Sequence, residues 1–365
     1  MRGRGDAAQA VGVAASATAG RYTRRMTRTV AAQTLATVGA ALLGAVLFDL
    51  LGIPVASLSG SMVAVAVLAM AGFPVQLPPW LRDFGLMTAG LSLGSTITAE
   101  ALATIQRYPV SLLGLALTVF VTVAASKAIL ERRFGWDRAT AFLAAVPGAL
   151  SMVMALAVET AADVKRVAVA QAVRLFTLVA ILPLAVSATG AAVTLREQTV
   201  VSPPGMAVLY GATFATIAVM TALRFANPTF LGGLVAGAAF HVSNLVPGGF
   251  PSGLAWGSMV LVGIVSGLRF MGARPREVLN IFVPAVIVLI VAMCTSAIGA
   301  VAIHVVTGLR LAEILVAFAP GGVEAMVLIG AGLGLDTLLI ATHHVARAVG
   351  LNMVAPLFAP RSPPV

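Results

Sequence analysis

Titratable side chains stand inside apolar stretches near the carboxyl end of this sequence. Glu324 directly follows Pro320-Gly321-Gly322-Val323, and His343 and His344 precede Arg347 by one helical turn. Ionisable groups at membrane depth are costly and usually mark ion or proton paths. A carboxylate here could exchange a proton, a histidine could relay one and an arginine could hold an anion. Each also has a structural alternative, since Glu324 could cap its helix or pair with Arg347.

These residues belong to a segment that occurs twice, at a constant offset of 173 residues. The repeated positions are Pro147-Gly148, Asp163, Arg174 and Pro183-Leu184 in the first copy and Pro320-Gly321, Asp336, Arg347 and Pro356-Leu357 in the second. Ser151 stands where the second copy has Glu324, and Gln171 stands where it has His344, so the two halves differ chemically. The candidate substrate-binding or ion-binding residues are Pro147, Gly148, Ser151, Gln171, Arg174, Pro320, Gly321, Gly322, Glu324, His343, His344 and Arg347.

The composition places the chain in a membrane. Hydrophobic residues make up 59%, charged residues only 10%, and the mean hydropathy is +1.02, which leaves too little polar surface for a soluble globule. Several uncharged runs approach or exceed the roughly 18–20 residues that cross the hydrocarbon core. They are Val30–Phe48, Pro54–Gly72, Pro109–Ser126, Ala139–Val158, Pro203–Leu223 and Val278–Ile303. A bilayer offers no partner to open backbone groups, so these runs must be helical and the sequence predicts an all-α polytopic membrane protein.

Charge and composition divide the chain into a tail and two membrane segments. Residues 1–28 are basic and predict a disordered tail, followed by a first membrane repeat at 29–190, a linker at 191–203 and a second repeat at 204–360. About a quarter of the 23 basic residues lie in the tail, and the rest flank the spans. The net charge of +10 therefore fits the positive-inside rule, and we expect no nucleic-acid partner. The same rule predicts a multi-pass protein of the bacterial cytoplasmic (inner) membrane with a cytoplasmic N-terminus.

The Pro-Gly pair in each copy predicts a broken helix near the middle of the membrane. Ala139–Val146 and Ile314–Ala319 supply about two turns before it, roughly 10–15 Å. The element is either one kinked span or two half-helices in a re-entrant hairpin. We favour the hairpin, because it keeps the basic residues Arg269, Arg274 and Arg276 on the cytoplasmic side. Each repeat then has five crossings plus the hairpin, and this odd number inverts the second repeat relative to the first.

Other spacings predict structural roles rather than chemistry. Asp163 and Asp336 each precede the repeated arginine by eleven residues, which suits the start of the last helix in each repeat. The glycine pairs Gly90/Gly94 and Gly233/Gly237 have the four-residue spacing of closely packed membrane helices. One cysteine and four histidines without a metal-binding motif predict no metal, no cofactor and no enzymatic activity.

A family resemblance rests on several motifs. They are Pro78-Pro79-Trp80-Leu81-Arg82, Trp136-Asp137-Arg138-Ala139-Thr140, Ala319-Pro320-Gly321-Gly322-Val323-Glu324-Ala325-Met326 and His343-His344-Val345-Ala346-Arg347. Over roughly residues 30–360 the chain resembles the bacterial AbrB-type membrane proteins with a duplicated domain. That family carries names including ammonia monooxygenase and regulator of AidB expression, and its members are often treated as transporters. The first copy departs from the motif, because Pro147-Gly148-Ala149-Leu150-Ser151-Met152 has neither a second glycine nor an acid.

From these features we expect a secondary transporter of a small, anionic solute that works by alternating access at the paired Pro-Gly elements. The driving ion would be H⁺. The expected partners are the small-molecule or ion substrate and membrane lipids, and a homodimer is left open. One alternative is a membrane protein involved in the regulation of gene expression. A membrane monooxygenase has less support, because its metal chemistry needs clustered ligands that the sequence lacks.

Overall fold

The structure is a computed structural model that describes residues 30–53, 55–95, 97, 108–147, 150–160, 162–187, 200–225, 227–246, 248–272 and 275–358. Within these ranges the chain is helical apart from turns and one isolated bridge between Val200 and Gly249. Five of the helices are long and apolar enough to cross a membrane, and several shorter apolar helices accompany them. The predicted all-α polytopic class is thereby confirmed.

The helices are numbered here in chain order through the described residues. Those before the middle of the chain are α1 Val30–Leu50, α2 Ala56–Met70, α3 Pro79–Gly94, α4 Tyr108–Phe134, α5 Arg138–Ala145, α6 Leu150–Glu159 and α7 Val164–Ser187. Those after it are α8 Pro203–Ala222, α9 Pro228–Val242, α10 Ser252–Gly267, α11 Pro275–Thr307, α12 Leu311–Phe318, α13 Val323–Gly332 and α14 Thr337–Phe358. A short 3₁₀ turn, Leu268–Phe270, follows α10.

Helices α5 and α6 form a re-entrant hairpin rather than a kinked span. A continuous path from Arg138 to Glu159 would separate its ends by about 30 Å. Instead the backbone N–H of Asp163, just before α7, donates to the Thr140 hydroxyl at the start of α5, with N and Oγ1 2.7 Å apart. The chain has therefore returned to the level at which it entered. In the second half Glu313 accepts a hydrogen bond from the Asp336 backbone, so α12 and α13 turn back in the same way.

Helix starts in the two halves follow the 173-residue offset. The matching first residues are Val30 and Pro203, Pro79 and Ser252, Arg138 and Leu311, Leu150 and Val323, and Val164 and Thr337. The repeat boundaries themselves stay a prediction, and α8 already starts at Pro203, the last residue of the predicted linker. Residues 1–29 and 188–199, which hold the predicted tail and most of the linker, lie outside the described residues.

The two halves exchange equivalent contacts. The hydroxyls of Thr122 and Thr295, which are 173 residues apart, meet at 2.6 Å between α4 and α11. Helix α3 packs on α9 through Gly90 and Gly94, and α10 packs on α2 through the glycines 173 residues further on. Contact between two copies of one position is the signature of a local two-fold axis. Whether that axis inverts the halves across the membrane stays a prediction.

Close helix packing explains why glycine stands at these positions. A Cβ atom at Gly90 would overlap the Phe230 carbonyl oxygen, and one at Gly94 would overlap that of Leu234. Reciprocally, a Cβ atom at Gly233 would overlap the Met87 carbonyl oxygen. The α3–α9 interface therefore depends on backbone surfaces in direct contact, as the glycine spacing predicts.

We expect Gly90→Ala to destabilise the protein and Gly211→Ala to leave it unchanged or slightly stabilised. Both lie inside helices, where alanine is the better helix former by about 1 kcal/mol. Only at Gly90 does the added methyl group meet backbone atoms, while nothing lies within 4 Å of a Cβ atom at Gly211. Thermal unfolding of the two purified variants in the same detergent would compare them. Equal midpoints would contradict the packing argument.

Candidate functional site

The tips of the two hairpins meet at a small polar cavity of about 60 Å³. Pro147 of the first hairpin and Pro320 of the second both line it. Helix α7 contributes Gln171, Arg174 and Leu175. The second hairpin and α14 contribute Gly321, Gly322, Val323, Glu324, His344, Arg347 and Ala348. Asn227 and Arg269 complete the lining from the turns at the start of α9 and the end of α10.

Each proline leaves a carbonyl oxygen without its helical donor, and a side chain replaces that donor. Pro147 has no N–H for the carbonyl of Leu143, four residues earlier. Gln171 Nε2 donates to this oxygen at 2.9 Å and to the Val146 oxygen at 3.1 Å. In the second half Pro320 likewise has no N–H for Val316, and His344 Nε2 contacts that oxygen at 3.0 Å. Buried carbonyls at membrane depth need such partners.

The two repeated arginines bind the carbonyls at the hairpin tips. Arg174 donates to the Val146 oxygen at 3.2 Å and to the Gln171 side-chain oxygen. Arg347 donates to the Ala319 oxygen at 2.6 Å and the Gly321 oxygen at 2.5 Å. Among the described residues neither guanidinium is paired with a carboxylate. Both arginines therefore bring an uncompensated positive charge to the cavity.

The partners of His344 define its tautomer. A carbonyl oxygen can only accept, so Nε2 carries the proton that is donated to Val316. An arginine can only donate, so Nδ1 is the acceptor for Arg347, at 2.7 Å. This arrangement needs the neutral imidazole. Gln171, at the matching position, uses its amide nitrogen and oxygen in the same two roles, which favours a structural function for His344 over a proton relay.

Glu324 pairs with Arg269 and Asn227, not with Arg347 as the structural alternative supposed. Its carboxylate lies 3.5 Å from Arg269 and accepts a hydrogen bond from the Asn227 amide at 3.2 Å. Arg347 is held instead by the hairpin carbonyls. The Glu324 side chain is 9% exposed and that of Arg269 26% exposed, so the pair lies at the accessible edge of the cavity. Glu324 occupies the first turn of α13, where the helix dipole favours its charge.

The cavity carries an excess of positive charge. Arg174, Arg269 and Arg347 contribute three positive charges, and Glu324 contributes one negative charge, which leaves a formal +2. Coulomb interactions are strong in such low-dielectric surroundings. A small anion would neutralise this excess, and the arginines in the wall of the cavity are hydrogen-bond donors that suit it.

One predicted site residue, His343, points away from this cavity. His343 is buried against Ser111 of α4, with His343 Nε2 and Ser111 Oγ 2.8 Å apart, and packs between the rings of Tyr108 and Phe318. Consecutive helical residues point about 100° apart, so His343 and His344 cannot share one face. Gly148 lies outside the described residues, as does the side chain of Ser151.

Sequence reasoning missed Asn227 and counted Arg269 only among basic loop residues. Asn227 precedes Pro228, which reads as a turn signal, and it adopts a left-handed backbone with φ of 55°. Nothing in that pattern shows contact with Glu324, 97 residues further on. Arg269 follows an apolar helix, where the positive-inside rule accounts for it equally well.

Comparison with known proteins identifies the family. The family model described as "Transition state regulatory protein AbrB" matches residues 57–361, more than four fifths of the chain. The protein belongs to the AbrB family. The resemblance expected from the sequence motifs is thereby confirmed. The chain is also similar to the uncharacterized protein YhjN of Bacillus subtilis (strain 168), with 23% identity over 348 residues, which cover 86% of this chain and 89% of that protein.

For this AbrB-family protein we expect His344→Gln to be tolerated and His344→Leu to be destabilising. Glutamine can donate to Val316 and accept from Arg347, as Gln171 does for the other hairpin. Leucine removes both hydrogen bonds and leaves the Val316 oxygen only the longer bond from the Ala319 N–H, at 3.3 Å, a loss of roughly 1 kcal/mol for each bond removed. Chemical or thermal unfolding of the purified variants would measure the difference. A His344→Gln variant as unstable as His344→Leu would show that the imidazole does more than replace the missing donor.

Proposed function

We propose that the protein is a secondary transporter that moves a small anionic solute across the bacterial cytoplasmic membrane. The observation that carries this proposal is the cavity at the paired hairpin tips, with three arginines and one glutamate. Irregular backbone at membrane depth is tolerated where it lines a cavity, and broken helices of this kind form the sites of many transporters. In this proposal the N-terminus is cytoplasmic and the protein is neither an enzyme nor a nucleic-acid binder.

The three arginines have different roles in this proposal. Arg174 and Arg347 are tied to hairpin carbonyls and maintain the positive field. Arg269 has Glu324 as its partner at 3.5 Å, longer than the 2.7–2.9 Å of a strong charge-assisted bond. Arg269 is also the more exposed member of the pair. It is therefore the arginine that a solute would reach first.

The Arg269–Glu324 pair supplies a means of coupling to protons. While Glu324 is ionised, it competes with a solute anion for Arg269. Protonation of Glu324 removes the competitor, so that proton and anion bind together. Linkage of this kind requires only that the anion binds the protonated form better. The matching first-half residue is Ser151, which does not titrate near neutral pH, so one carboxylate serves both halves.

Alternating access follows from two related halves that meet at one site. Thr122 contacts Thr295, its matching residue in the other half, and the packing glycines of α3 and α10 also stand at matching positions. Rocking of one half against the other would exchange these equivalent arrangements. The hairpin tips, Pro147 and Pro320, would then open to opposite sides in turn.

We expect at least one small anion to stabilise the purified protein, and Arg269→Gln to abolish this effect. The panel would contain phosphate, sulfate, acetate, lactate and succinate as sodium salts at equal ionic strength. At one hundred times the dissociation constant, binding adds about 2.7 kcal/mol to the unfolding free energy. Arg82→Gln is the matched control, because Arg82 pairs with Asp83 on the exposed surface. If the anion stabilises the Arg269→Gln variant as much as wild type, Arg269 is not part of the anion site.

We expect Glu324→Gln to preserve anion binding and to remove its pH dependence. Glutamine imitates the protonated carboxyl group, so Arg269 stays available at every pH. In proteoliposomes the variant should exchange anions but fail to accumulate them in response to a proton gradient, across about pH 5 to 8. Ser151→Ala, at the matching position, should behave like wild type. If the Glu324→Gln variant accumulates anions in response to a proton gradient as well as wild type does, the proton-coupling hypothesis is wrong.

The family description favours a second function, the regulation of gene expression. An effect on transcription could be an indirect result of transport. A deletion strain complemented with Arg269→Gln distinguishes the two. If the regulatory effect persists in a variant that no longer binds anions, regulation is independent of transport and becomes the better proposal.

A further inference from the structure

A large apolar cleft lies on the far side of the first hairpin from the polar cavity. Its volume is about 540 Å³, within the range of roughly 300–1,000 Å³ that is usual for ligand sites. It runs along α4 from Leu112 to Lys127, and its other walls come from α5 and α14. The sixteen residues from Leu112 to Lys127 span about 22 Å along the helix axis, more than half of the roughly 30 Å hydrocarbon core.

The equivalent cleft in the second half is closed. A pocket of only about 10 Å³ is lined there by Ala285, Val288 and Arg174. These residues lie 173 positions from Leu112, Leu115 and Arg347, which line the open cleft. Among the described residues the two halves therefore differ at this face of the hairpin.

Side-chain size alone does not explain this opening, because most matched positions have the larger residue in the open cleft, as with Leu112 against Ala285 and Phe142 against Leu315. The clearest reductions in size are at three matching positions. These pairs are Ala116 and Leu289, Ala346 and Val173, and Gly350 and Thr177. Leu289 and Val173 are buried in the closed half. Larger residues at these three positions would therefore fill part of the open cleft.

A cation stands at one end of the open cleft. Lys127 lines it, whereas the matching residue in the second half is the fully buried Ala300. Lys127 pairs with Glu131 at 2.8 Å, and the exposed Arg132 and Arg133 follow at the end of α4. Apart from Lys127 and the Arg347 stem, the lining is apolar. Arg347 holds its guanidinium on the hairpin carbonyls. The cleft thus has a basic entrance and an apolar interior.

We propose that an acyl chain of an anionic membrane lipid occupies this cleft, with the lipid headgroup at Lys127 and the basic end of α4. A lysine near a helix end places its amine at the headgroup level while its stem lines apolar surface. Basic residues at the membrane surface attract anionic lipids. An acyl chain anchored there would extend along α4 towards the middle of the bilayer.

Such a lipid would brace the first hairpin. The Val146 side chain lines the cleft, and the Val146 carbonyl accepts the hydrogen bonds of Gln171 and Arg174. The lipid would therefore support the tip from the side opposite the polar cavity. This site is independent of the proposed transport, and either proposal could fail alone.

Photocrosslinking of full-length protein in vesicles tests the site. The probes are phosphatidylglycerol and phosphatidylcholine with the same diazirine-bearing acyl chain, each at low fraction in phosphatidylcholine vesicles. We expect the phosphatidylglycerol probe to label peptides from 112–127 and 346–354 about fivefold more than the phosphatidylcholine probe. Lys127→Ala, which copies Ala300, should remove this preference. Labelling of α1 at the exposed Leu43 is the internal control for general lipid contact.

A second variant tests the cleft itself. Ala116→Leu, Ala346→Val and Gly350→Thr together copy the closed half and should reduce labelling of both segments to the level of the α1 control. Equal labelling by both probes, or unchanged labelling of the filled variant, would overturn the proposal. So would an unlabelled cleft in a wild-type protein that crosslinks to a second copy through α4. Should the filled variant not fold, the result with Lys127→Ala still decides the headgroup preference.

Discussion

The structure depends on how backbone carbonyls are satisfied where proline breaks a helix inside the membrane. Pro147 and Pro320 each remove a donor from an oxygen four residues earlier, at a depth where water is scarce. The last helix of each half begins beside the first arm of the hairpin and runs alongside it to the tip. Eleven residues after its capping aspartate, about 16 Å along the axis, it presents an arginine to the freed carbonyls. Hairpin and helix are therefore one unit.

The same requirement is met by different chemistry in the two halves. Gln171 and His344 both donate to a carbonyl and accept from an arginine, although only one of them can titrate. A shared hydrogen-bond role explains why a histidine and an amide can occupy matching positions. This role also argues against proton transfer by the histidine, because a histidine that must stay neutral to accept a hydrogen bond is a poor proton carrier. The acid in the cavity lining is Glu324, which is held by Arg269 and Asn227.

Asymmetry between the halves appears on both sides of the first hairpin. Towards the cavity the second half supplies Glu324 and Arg269, while the first supplies neither an acid nor a described partner for one. Beside α4 the first hairpin has an open cleft of about 540 Å³, and only a pocket of about 10 Å³ lies at matching positions of the other half. The two halves share one backbone arrangement, and residue differences at a few matching positions give them different surfaces at the cavity and at the cleft. Arg174 and Arg347 bring positive charge to the cavity, and the Arg269–Glu324 pair lies at its accessible edge.

The sequence by itself determined the all-α membrane class, the duplication and most of the cavity lining. Long uncharged runs must be helical in a bilayer. The constant offset of 173 residues identifies the matching positions of the two halves. Glu324, His344 and Arg347 were recognisable because polar residues at membrane depth are rare, and Pro320 because it recurs at the repeat offset. Only the tertiary structure decided that α5 and α6 turn back, since a kink and a hairpin have the same local sequence and differ in the contact between Thr140 and Asp163. It also decided the partners of Glu324, because Asn227 and Arg269 come from distant turns that local patterns do not relate to α13. Side-chain direction separated His343 from His344, and the packing of α4, α5 and α14 created the apolar cleft between them.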